Sequence, residues 1–98
     1  MEDTFTAEHF RPHIGKLVRF AAIRDPLTID SVEGGGEPPK GWPRAPFVVI
    51  FRGPPGRDAL VPEGAYDCEI EGGPTLNIYV MPIHTPAPGR QDYQAAFS

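Results

Sequence analysis

The chain has a single cysteine, Cys68, in 98 residues. One thiol excludes an intrachain disulfide and a cysteine-rich metal site. Long apolar runs are missing too: no stretch approaches the roughly 20 residues that carry a helix across a bilayer. The N-terminal MEDTFTAEHF lacks the basic flank and apolar core of a secretory signal. These absences predict a chain with no membrane association and a cytoplasmic location. Positive charge is scarce as well, with 9 Lys and Arg against 13 Asp and Glu and a net charge of −4. Such a balance supplies no overall field to gather nucleic acid or an anionic membrane, so neither is an expected partner.

Glycine and proline, by contrast, are abundant at 11 and 13 residues. They fall between segments rich in Val, Ile, Phe and Tyr, as punctuation between strands does. The length fits one domain, 1–98, around one core. Near the N-terminus, Thr6 is placed to cap a short helix, with Glu8 in its first turn and Phe5 and Phe10 at the positions of a hydrophobic staple. Pro12 limits that helix to about two turns. KLVRFAAIR at 16–24 and LTIDSVE at 27–33 read as two strands joined by a turn at Asp25-Pro26. FVVIF at 47–51 reads as a strand buried on both faces. AYDCEIE places Tyr66, Cys68 and Ile70 inward and its acids outward, TLNIYVM puts Leu76, Ile78 and Val80 on one face, and QDYQAAF puts Tyr93 and Phe97 on one face. The fold class expected is mainly β: a small antiparallel barrel or sandwich of about six strands, with one short N-terminal helix suited to plug an open barrel end.

Chemical signals are sparse. In FRGPPG at 51–56, Pro54 and Pro55 lack the N–H donors of a phosphate cradle, so the cluster reads chiefly as a strand terminator, with Gly53 able to adopt backbone angles denied to other residues. His9 and His13 have the spacing of two zinc ligands on a helix, but Pro12 between them argues against a shared face. Cys68 sits in the apolar phase of its strand and reads as a small core residue. No metal site and no cofactor are expected, and no catalytic residue is assigned. The segment from Gly34 to Pro46, GGGEPPKGWPRAP, is a long Gly/Pro-rich connection expected to be flexible, and its basic-x-x-Pro-x-x-Pro pattern suits partner recognition. Trp42 within it reads either as a cap folded over the barrel or as an exposed anchor. The candidate binding residues are Trp42, Arg44, Arg52 and Arg57.

A capped helix with Phe10, HIGK at 13–16, PFVVIFRGP at 46–54, EGAY at 63–66, NIYVMPI at 77–83 and YQAAF at 93–97 together resemble a small family of bacterial single-domain proteins of unknown function. The resemblance covers nearly the whole chain, and its most specific parts are PFVVIFRGP and YQAAF. It associates the chain with genes for tail-collar proteins of phage-like particles. The GGGEPPKGWPR insertion departs from the pattern, and the family has no established catalytic residues to carry over. The function expected is a non-catalytic interaction or assembly module, accessory to a phage-tail-like structure and acting through a protein partner or self-association. The alternative is a small-molecule-binding barrel or minor enzyme with a pocket near Arg52, Trp42 and Tyr79.

Overall fold

A computed structural model describes residues 5–21, 25–42, 44–53, 62–83 and 90–97. The first element is a single helical turn, α1 (Ala7–Phe10), continued by a 3-10 turn over Arg11–His13. Thr6 is its N-cap, in extended conformation. The Thr6 N–H donates to Nδ1 of His9 at 3.1 Å. Phe5 and Phe10 meet edge to face with ring centroids 5.9 Å apart, the hydrophobic staple that the spacing implies.

Six strands follow among the described residues: β1 (Leu17–Phe20), β2 (Leu27–Gly34), β3 (Phe47–Arg52), β4 (Gly64–Ile70), β5 (Thr75–Ile83) and β6 (Asp92–Phe97). Every pairing is antiparallel, and the strands close a barrel in the order β1-β2-β3-β6-β5-β4. Each half of the chain is a three-stranded meander, and β4 returns to lie beside β1, giving the Greek-key order β4-β1-β2-β3. That β1–β4 ladder makes a barrel of what would otherwise be an open sheet. It pairs Val18 with Ile70 and Phe20 with Cys68.

Closure explains one departure from expectation. FVVIF is not buried on both faces. Phe47, Val49 and Phe51 point inward and are buried, while Val48, Ile50 and Arg52 lie on the outer face and are half-buried. A barrel has one interior, so each strand buries one side. In β2 the register shifts between Ile29 and Ser31. The bulge at Asp30 lets Ile29 and Val32 both serve the core, which strict alternation forbids.

Side chains fill the barrel. Ile29, Val49, Val80 and Ala95 at its waist have no measurable exposure. Phe20 and Phe51 meet edge to face, centroids 5.4 Å apart, toward one end. At the other end Phe47 and Phe97 stack 4.6 Å apart with Phe10 tilted against both. Phe10 and Ala7, both buried, make α1 the plug of that second end.

The helix is seated on glycine. Gly34 and Gly35 have φ of +94° and +87°, and a Cβ on Gly35 would lie 2.6 Å from the Ala7 side chain. Arg11 locks the contact by donating from Nη2 to the Gly34 carbonyl at 2.6 Å and from Nη1 to Glu8 at 2.6 Å. These glycines therefore serve close approach and left-handed backbone rather than reach, and the connection proper runs from 35 to 46, because Gly34 belongs to β2. Gly35→Ala is expected to destabilise the fold by about 2 kcal/mol, from backbone strain plus displacement of α1. Thermal unfolding checks this through a melting temperature lowered by about 10 °C; an unchanged value would contradict the seating.

Candidate functional site

The three described candidate binding residues, Trp42, Arg44 and Arg52, do not converge. β3 carries the chain from the plugged end at Phe47 to the opposite end at Arg52, a rise of about 17 Å. Trp42 and Arg44 precede β3 and belong to the plugged end. Arg57 lies outside the described residues, as do Pro54 and Pro55. Arg52 stands on the outer face and pairs with Asp30, Nη1 to Oδ1, at 2.5 Å, with both side chains about two-fifths exposed. The β2 bulge turns Asp30 toward it. Tyr79, on the outer face of β5, donates instead to the Glu63 carboxylate. That hydrogen bond first, with desolvation and the Glu63 charge behind it, raises the phenol above its ordinary pKa.

Arg44 makes contacts within the fold. Its Nη1 donates to the Phe5 carbonyl at 2.8 Å. Its guanidinium lies 5.8 and 5.4 Å from the Phe47 and Phe97 centroids, within cation–π range of both. The loop is thus braced at its base by Arg44 and by the Gly35 N–H, which donates to the Pro46 carbonyl at 3.0 Å. Trp42 does not fold over the barrel. It is 50% exposed, beyond a turn closed by its own N–H on the Pro39 carbonyl. The space that a capping tryptophan would occupy is already taken by Phe5, Phe10 and the Arg44 guanidinium.

The site that emerges lies on another flank of α1. β5 and β6 share register partners only from Met81 to Ile83, so toward the plugged end Leu76 and Ile78 have none on β6. In that region the helix and the β4–β5 turn enclose a recess of about 370 Å³, lined by Phe5, His9, Phe10, His13, Ile70, Pro74 and Leu76. His9 and His13 do share a side, contrary to expectation. The chain tightens into a 3-10 turn through Pro12, which keeps both imidazoles beside the recess. Room for His13 is made by Gly73, where a Cβ would stand 3.1 Å from its Cε1 and 3.2 Å from the Ile70 side chain. Nδ1 of His13 is buried without a hydrogen-bond partner. The i, i+4 spacing signals this pair in the sequence; the third wall, contributed by residues 70–76, has no local signal.

Two further signals resolve in structural terms. Cys68 is buried in the core cluster. Burial first, and the neighbouring Asp67 charge second, push its thiol from 9.0 up to about 12, so it cannot supply a thiolate near neutrality. From about pH 9 the unfolded chain releases this proton while the fold retains it, so the thiol's contribution is full below pH 9 and is lost between pH 9 and about 12. The stability advantage of the wild type over Cys68→Ala should therefore shrink across that window in denaturant titrations; a constant gap would refute it. Asp67 accepts from Asn77 Nδ2 at 2.8 Å on the outer face, an ordinary cross-strand pair. Among the described residues, no three His, Cys, Asp or Glu side chains gather in metal-holding range, and no helix is long and apolar enough to cross a membrane.

No curated protein and no solved structure matches the chain. A family model described as a domain of unknown function, DUF6916, matches residues 5–97, from the staple phenylalanine ahead of α1 to the stacked phenylalanine that ends β6. The chain belongs to the DUF6916 family.

Proposed function

We propose that this domain is a non-catalytic interaction and assembly module whose contact face is the plugged end of the barrel. One observation carries the reading. Of the four large hydrophobic side chains exposed among the described residues, Ile14 (46%), Leu17 (41%) and Trp42 (50%) belong to segments that lead into or out of the plugged end, while the fourth, Tyr79 (49%), is bonded to Glu63 on the outer face of β5. The interior they cover is already packed, so their exposure does not reflect an unfilled core. Exposed apolar side chains gathered on one face mark contact surfaces more often than those scattered singly, and tryptophan is enriched among residues that dominate binding energy. The resemblance of PFVVIFRGP and YQAAF to a phage-associated bacterial family makes a phage-tail-like particle the first setting to test.

The test is co-purification of the domain with structural proteins of a phage-tail-like particle from its own host, alongside sedimentation for self-association. Gly34 and Gly35 belong to the fold, so variants are confined to Ile14→Ser, Leu17→Ser and Trp42→Ala. Trp42→Ala is expected to weaken capture or self-association tenfold or more with an unchanged melting temperature. Association that is equally strong in all three variants would defeat the reading.

A further inference from the structure

We infer that the β6-facing edge of β5 is a strand-addition site for an extended segment of a partner protein in which basic and aliphatic residues alternate. This inference goes beyond the assembly reading and uses none of Ile14, Leu17 and Trp42.

The edge follows from the phase of the backbone hydrogen bonds. β5 and β6 are register partners only from Met81 and Gln94 to Ile83 and Asp92, yet β5 reaches back to Thr75 and β6 runs on to Phe97. Phe5 lies between the diverging ends, 6.0 Å from the Phe97 ring and beside Leu76. Along an antiparallel strand, alternate residues direct both backbone groups to the same neighbour. The Ile70 N–H donates to the Pro74 carbonyl at 3.1 Å, which sets Leu76, Ile78 and Val80 as the residues that bond β4, opposite Cys68, Tyr66 and Gly64. The other set on β4 bonds β1, as the Glu71 N–H on the Leu17 carbonyl and the Ala21 N–H on the Asp67 carbonyl show. Thr75, Asn77 and Tyr79 therefore turn their N–H and C=O groups toward β6, where they have no register partner among the described residues. Such a row is a template for a further strand.

Charge selects the occupant. Thr75 stands opposite Glu69 and Asn77 opposite Asp67, and Tyr79 donates to Glu63. All three acids are exposed. Asp67 and Glu63 take their hydrogen bonds from neutral donors, so both keep their charge; Glu69 has Arg19 opposite it on β1. A strand added to β5 would set its outward side chains two strand spacings, about 10 Å, from these carboxylates, a span that long basic side chains close. Its inward side chains would lie over Leu76 and Phe5, which favours aliphatic residues. The net charge of −4 draws in the same kind of segment.

The experiment is amide hydrogen exchange and 1H–15N NMR of the full chain with the capped peptide Lys-Val-Lys-Val-Lys-Val-Lys. In the free chain the Thr75, Asn77 and Tyr79 amides should exchange at least about tenfold faster than those of Leu76, Ile78 and Val80. The peptide should saturate with a dissociation constant of about 0.1–1 mM, weak because it is ordered on binding, and should slow the three edge amides about tenfold. Glutamate in place of its lysines should weaken binding at least about tenfold. N-methylation of its lysine amides, which face β5 in this register, should abolish binding, whereas N-methylation of its valine amides should not. Asn77→Pro removes an edge donor and no bond to β4, and should weaken binding by about tenfold; the peptide series keeps the test decisive if that variant folds poorly. Edge amides as slow as the ladder amides in the free chain, equal binding of the lysine and glutamate peptides, or shifts centred away from β5 would overturn the site. Edge protection that rises with protein concentration alone would mean that a second copy takes the edge, and the basic partner would fall.

Discussion

Phe97→Ala is expected to lower the melting temperature by roughly 15–30 °C, corresponding to a loss of about 3–5 kcal/mol. Phe97 is the last residue of β6. Here it is 7% exposed and stacked at 4.6 Å on Phe47 with planes 10° apart. It also meets Phe10 at 5.5 Å and Phe5 at 6.0 Å and lies under the Arg44 guanidinium. Truncating it opens a void at the junction of plug and barrel, and three rings and a cation lose their common partner. A domain of this size holds about 5–15 kcal/mol in total, so the variant sits near the edge of folding. Removing the chain from Tyr93 onward should go further and abolish cooperative unfolding, because β6 pairs with both β3 and β5 and contributes Tyr93, Ala95 and Phe97 to the core. Phe97→Leu, which keeps most of the volume, should cost no more than about 1.5 kcal/mol. A melting temperature for Phe97→Ala within about 3 °C of wild type would show that the plug does not depend on this stack.

The strands were legible wherever alternation was clean. AYDCEIE became β4 with Cys68 and Ile70 buried and Asp67 and Glu69 exposed, and QDYQAAF became β6 with Tyr93 and Phe97 inside. The plug was legible because the staple spacing of Phe5 and Phe10 is local. Readings failed where the determining contact is distant along the chain. Glycine in GGG looked like a source of flexibility, yet Gly35 is demanded by Ala7, which precedes it by 28 positions. FVVIF looked doubly buried because an apolar run cannot tell a barrel wall from a central strand; only the β1–β4 ladder decides. For Trp42 the sequence left a cap and an exposed anchor both open, and it is the exposed side chain that the structure shows, because Phe5, far back along the chain, fills the barrel end. The recess was half legible. His9 and His13 announced themselves by spacing, but Ile70, Pro74 and Leu76 are brought to them by the closure of the barrel.

The loop after β3 separates two neighbours sharply: Gly53→Val is expected to destabilise by about 4 kcal/mol, and Arg52→Ala by less than about 1 kcal/mol. Gly53 does not have the positive φ that a terminating glycine suggests. Its requirement is spatial. A Cβ there would lie 2.3 Å from the Gln91 carbonyl oxygen, and because the obstacle is backbone it cannot turn aside. The same residue is buried and donates its N–H to Asp92 Oδ1 at 3.3 Å. Asp92 is a buried acid, 8% exposed, held by Arg90 through Nε and Nη2, each at 2.9 Å. Valine at 53 would push the end of β3 away from the start of β6 and remove a donor from that carboxylate, adding an overpacking cost to the loss of a charge-assisted bond. Arg52, one residue earlier, points the other way. Its ion pair with Asp30 is about two-fifths exposed on both sides, and such pairs contribute little in water. Denaturant titration of both variants, with Asp30→Ala as a third, measures the contrast. Arg52→Ala and Asp30→Ala should be equally mild, and Gly53→Val should shift the midpoint far below either. A larger loss from Arg52→Ala than from Gly53→Val would mean that the guanidinium, and not the backbone crossing, secures the end of the strand.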